Sequence, residues 1–109
     1  MINEKILASL RTEINQQTAQ LPWTELQRFF ANGSVIAVAA ELDLIDVGAR
    51  IAADDKASVQ EWMRLGLLMR ASDEQASDWQ AQNALLWTVV VKPWILVQQE
   101  RLQPQAPTQ

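Results

Sequence analysis

The chain has no cysteine and no histidine. The first absence removes disulfides, thiolate nucleophiles and thiol redox switches. With the second, it also removes the two commonest zinc and transition-metal ligands and the usual base of a nucleophilic triad. No cofactor is expected on these grounds. Long apolar runs are missing too. The longest, "ALLWTVVV" at 84–91, is interrupted by Thr88 and falls far short of the ~20 residues a spanning helix needs. The N-terminal stretch "MINEKILASLRTEINQQ" carries Glu4, Lys5, Arg11 and Glu13 and holds no apolar core of signal-peptide length, so a cytoplasmic protein without membrane contact is expected. Gly33, Gly48 and Gly66 are isolated. None belongs to a glycine-rich phosphate loop, and each has a turn or packing explanation.

What remains is ordinary for one globular domain. The 109 residues are 49% hydrophobic and 20% charged, enough for one core and too few for two. Nine Lys and Arg against thirteen Asp and Glu give a net charge of −4. Such a surface repels phosphate backbones and anionic lipid, which disfavours nucleic acid as a partner.

Ile2, Ile6, Leu10 and Ile14 recur every fourth residue, with Leu7 beside them, and predict a helix over 3–19 capped by Asn3. Its apolar stripe is narrow, as suits a helix on the surface or against a partner chain. Pro22 ends that pattern. Thr24 and Gln27 have capping-box spacing for a short helix carrying Leu26, Phe29 and Phe30 inward, closed at Asn32-Gly33. "SVIAVA", 34–39, reads as a strand. Asp43 can cap a helix over 44–53, and Asp54 or Asp55 a helix over 56–65 with Val59, Trp62 and Met63 inward and Gly66 as its stop. A strand follows at 67–71. Ser72 and Gln75 then cap a helix that buries Ala76 and Trp79. "LLWTVVVKPWILVQQ", 85–99, is the strongest β signal. A tight hairpin at Lys92-Pro93 conflicts with the positive φ of type I′ turns, so one long strand kinked at Pro93 is expected, at a sheet edge or bulge. The order predicts an α+β domain over residues 1–102: a small mixed or antiparallel sheet of about three strands with five helices packed around it, the helices gathered toward one side. A disordered tail over 103–109 is expected beyond it.

"LPWTELQRFFANGSVIAV", "LDLIDVGARIAADD", "VQEWMRLG", "SDEQASDW" and "VVVKPWILVQ" together resemble a family of small bacterial proteins known as domain of unknown function 2288. The resemblance runs from about Leu21 to Gln98 with its spacing intact. It implies a bacterial, cytoplasmic protein and assigns no catalytic residue.

The segment 43–71 has the outline of a helix-turn-helix followed by a wing. Its charge argues otherwise. Asp43, Asp46, Asp54, Asp55 and Glu61 outnumber Arg50, Lys56 and Arg64 between 43 and 65, and a recognition helix needs cations toward the groove. Asp43 and Asp46 stand about 15 Å from Asp54-Asp55 at ~1.5 Å per helical residue, too far to share one metal ion. Capping, plus an Asp46–Arg50 pair, accounts for these carboxylates. No catalytic or metal residue is therefore assigned.

Tryptophan is the anomaly, with five copies. Each can bury ~150–250 Å² and needs a partner for its indole N–H. Trp62, Trp79 and Trp87 fall on predicted core faces. Trp23 and Trp94 flank prolines at element boundaries, where partial exposure is expected, and with Pro93 they are the candidate protein-contact residues. The reading is a non-catalytic protein–protein interaction module, binding itself or another protein through the first helix and the "VVVKPWILV" edge. The alternative is a DNA-binding adaptor built on residues 43–71. A metal-dependent enzyme using carboxylates ranks third.

Overall fold

Strand residues that are apolar on both faces require cover on both faces, and here that requirement sets the architecture. In the computed structural model, which describes residues 3–99, the strands are β1 (Ala19–Pro22), β2 (Val35–Val38), β3 (Leu68–Arg70), β4 (Leu85–Val91) and β5 (Trp94–Gln98). They form one sheet in the order β1-β4-β5-β2-β3. β2 runs parallel to β5, and the other pairs are antiparallel. The α+β class is as expected; the sheet has five strands rather than about three. The expected tail from Gln103 lies outside the described residues.

Along β2 and β5, Val35, Ala37, Ile95 and Val97 point to one face, while Ile36, Val38 and Leu96 point to the other. The helices therefore do not gather on one side. α1 (Glu4–Gln17), α3 (Leu44–Ala52) and α4 (Lys56–Arg64) belong to the core that contains Val38, Val89 and Leu96. α2 (Gln27–Ala31), α5 (Asp73–Gln82) and the 3-10 turn Trp23–Glu25 cover the opposite face with Trp23, Leu26 and Trp79.

Local signals place most helix ends. Asn3 accepts from Lys5 N at 2.8 Å, and Asp43 from Ile45 N at 2.9 Å. Asp55, not Asp54, caps α4. Ser72 and Gln75 form the reciprocal capping box of α5, at 3.0 and 2.9 Å. Gly33 and Gly66 take positive φ just beyond α2 and α4, where a side chain would be strained. Gly48 serves a different purpose. A Cβ there would stand 3.0 Å from Ile14 Cγ2, so its bare backbone lets α1 lie close against α3.

Three expectations are corrected. Thr24 and Gln27 form no capping box; the chain makes the 3-10 turn first, and the Gln27 amide pairs with Gln80 on α5. The first helix stops at Gln17, and Ala19–Pro22 joins the sheet beside β4. Residues 85–99 are two strands rather than one: the Lys92–Pro93 peptide is cis, and the chain reverses there. A cis proline makes a tight turn without the positive φ that a type I′ hairpin demands. Pro93 thus sits in a turn, β4 and β5 are interior strands, and the true edges are β1 and β3.

β5 ends on a buried polar residue. Gln98 is 1% exposed, and its Nε2 donates to the Ala39 and Leu42 carbonyls, both at 2.8 Å. Those two bonds tie the end of the central strand to the loop that leads into α3.

Candidate functional site

The three candidate contact residues are not brought together. Trp23 is 2% exposed, which corrects the expectation of a partly exposed ring. It packs on Phe30 and on Trp79, with ring centroids 5.6 and 5.1 Å apart. The contact with Trp79 comes from α5, far away in sequence, and turns a boundary residue into a core residue. Pro93 is exposed in the β4–β5 turn. Trp94 is half-buried and belongs to the opposite face from Trp23.

Trp94 forms part of a groove of about 430 Å³ between α4 and the β2–β3 end of the sheet. Ile36, Ile51, Val59 and Leu68 give it an apolar floor. Met63 and Met69 stand at its mouth, 57% and 49% exposed. Met63 was expected inward with Val59 and Trp62. It lies on the outer part of the α4 stripe, and the sheet ends at β3. Leu65 is exposed as well, so three large apolar residues reach solvent within one short stretch. A concentration of this kind is more informative than scattered apolar residues.

The rim is charged. Asp54, Asp55, Lys56 and Arg70 all line the groove. The Arg70 guanidinium lies 5.8 Å from the Trp94 ring centroid, in cation–π range. Asp55 accepts from the Ser58 hydroxyl at 2.7 Å and from Arg50 at 2.9 Å. The Ser58 hydrogen bond first, and the Arg50 bond second, hold the Asp55 carboxyl below its ordinary value of 3.8. Arg50 also reaches Asp46 at 3.2 Å, and Asp46 accepts from Arg11 at 2.7 Å. One chain of ion pairs thus joins α1, α3 and the cap of α4. Among the described residues, no three carboxylates converge as a metal site would require.

Two cations of the helix-turn-helix-like segment are held by carboxylates, while Lys56 and Arg70 line the groove. Arg50 is held by Asp46 and Asp55, and Arg64 by Glu61 at 2.6 Å. Arg70 rests over Trp94. No described helix is long and apolar enough to cross a membrane.

Sequence reasoning missed Met63, Met69, Lys56 and Arg70 as a group. The available signal was faint: two methionines six positions apart across a helix stop, each followed by an arginine at the next position. Only the sheet order, which leaves β3 at an edge, turns that spacing into a groove.

The family model described as "Protein of unknown function (DUF2288)" matches residues 9–99. The NMR solution structure of PA1075 from Pseudomonas aeruginosa is similar throughout. It is 34% identical, with a TM-score of 0.75, and the match covers 94% of this chain and 93% of that one. No curated protein matches the chain.

Proposed function

The chain belongs to the DUF2288 family of proteins of unknown function, and we propose that it acts as a non-catalytic protein–protein interaction module. One observation carries the reading: the groove between α4 and the β2–β3 end, where Met63 and Met69 are exposed beside Trp94. An apolar floor with a charged rim is how contact surfaces are built, with the centre dry and the margin solvated. Methionine suits the mouth of such a groove because its unbranched thioether adapts to what it meets. Of the contact residues proposed from sequence, Pro93 lies in the β4–β5 turn, and the edge proposed there is interior to the sheet. Trp94 contributes through the groove, whereas Trp23 lies in the core.

The DNA-adaptor alternative gains no support from the placement of its cations, since Arg50 and Arg64 are already bound to carboxylates. Fluorescence anisotropy with random and genomic duplexes at low salt tests it; the expected result is no submicromolar binding.

The interaction reading is tested in the native host with a photo-crosslinking residue at Met63. A matched control places the same residue at exposed Ser77 on α5. Discrete adducts are expected from Met63 and not from Ser77. Equal labelling at the two positions, or none at Met63, would refute the reading.

A further inference from the structure

The charges around the α4–β3 groove differ in how far they are already engaged. Asp55 is held by Ser58 and Arg50. Lys56 and Arg70 line the same groove and take part in none of the ion pairs found among the described residues. The Arg70 guanidinium lies within cation–π range of Trp94, at the mouth of the groove. The N–H donors at its edge have no protein acceptor among the described residues, and their fork geometry matches a carboxylate. Asp54 is the remaining acid on this rim and also lacks an ion pair. Two unengaged cations against one unengaged acid make the mouth of the groove locally positive.

The rest of the surface is acidic, with a net charge of −4 for the chain. At physiological salt, charges are screened beyond about 8 Å, so the nearest groups decide what the groove attracts. An acidic partner is drawn to this mouth and repelled elsewhere, which adds specificity to affinity. The main chain of β3 offers less. The strand is only three residues long, Leu68–Arg70, so docking must rest mainly on side chains.

We propose that the groove receives an acidic linear segment of another protein. Its apolar side chains lie on Met63, Met69 and Trp94, and its carboxylates meet Arg70 and Lys56. This rests on the interaction reading above and adds the chemistry of the partner.

The test is a selection from a random peptide library on the wild-type protein, followed by affinity and 15N chemical-shift measurements. Enriched peptides are expected to pair apolar residues with Asp or Glu and to shift the amides of Met63 and Met69. Their affinity should fall about tenfold or more in Arg70→Glu and in Lys56→Glu, and should weaken with added salt. Both substitutions lie at exposed positions, and thermal melts verify that the variants fold. Peptides that need Met63 but show no acidic preference, or that bind Arg70→Glu unchanged, would overturn this inference and leave the interaction reading standing. If no peptide is lost on Met63→Glu, both fall. A concentration-dependent dimer of the wild type that protects Met63 would make a second copy the occupant and also overturn it.

Discussion

Replacing Gly48 with alanine tests the closest approach in the fold, and two opposing effects set the outcome. In an open helix interior, Gly→Ala stabilises by about 1 kcal/mol, because glycine loses more backbone freedom. Here the new methyl would stand 3.0 Å from Ile14 Cγ2, tighter than ordinary van der Waals contact. Ile14 is buried between α1 and α3 and has little room to move. Overpacking of this kind costs about 1–3 kcal/mol. The expected net change is therefore a loss of up to about 2 kcal/mol. At roughly 4 °C per kcal/mol for a domain of this size, the melting temperature should fall by several degrees. Ile14→Leu removes the offending Cγ2 branch at nearly constant volume and alone should cost less than about 1.5 kcal/mol. In the double variant the helical benefit of alanine should return, so the two changes should couple by about 1 kcal/mol or more. Urea unfolding followed by tryptophan fluorescence supplies all four corners of the cycle. A Gly48→Ala variant stabilised by a full 1 kcal/mol, with no coupling to Ile14, would refute the close packing of α1 on α3.

Other expectations can be checked on the same unfolding assay. Trp23→Ala should cost about 3–5 kcal/mol, as a core aromatic does, without altering assembly measured by light scattering. Gln98→Glu should destabilise strongly at neutral pH, by about 3–5 kcal/mol, because a buried carboxylate would face the two carbonyls that Gln98 now serves as donor. That variant should regain stability on acidification, as its carboxyl takes up a proton. Asp55 should behave in the opposite sense. Its carboxyl titrates below the ordinary 3.8 in the folded chain, so its contribution is complete above that value and disappears as pH falls through the lowered one. Asp55→Asn should therefore be less stable than wild type at neutral pH, with the difference narrowing in acid titrations followed by circular dichroism.

Helix ends were legible because their determinants are local. Asn3, Asp43, Asp55 and the Ser72–Gln75 pair each act within three residues of the amides they cap. The missing pieces depend on partners distant in sequence. Ala19–Pro22 has no β-branched residue and becomes a strand only because Leu21 and Ala19 meet Leu86 and Thr88 on β4. The turn at Lys92–Pro93 depends on a peptide isomer that hydrophobic periodicity does not report. Trp23 was misplaced because its cover, Trp79, arrives from α5. The groove was hidden for a related reason. The stripe of Val59, Trp62 and Met63 looks uniform until the sheet order shows where the floor beneath it ends.

The strand made late in the chain is central in the sheet, and this bears on how the protein comes into being. β5 pairs with β2 through Val35 and Ile95 and with β4 through Val89 and Leu96. During synthesis β2 can meet β3 early, since β3 is made before β4 and β5 and its Met69 faces Ala37. Its other edge has no partner until residues 94–98 emerge. Throughout that interval an apolar strand presents open hydrogen-bonding groups, the usual template for wrong pairing between chains. Closing the sheet also requires a long loop to be ordered before its contacts reward it, which makes folding slow for a domain of this size. The nascent chain thus has its longest-lived open strand edge after β2 and β3 have appeared and before β5 has.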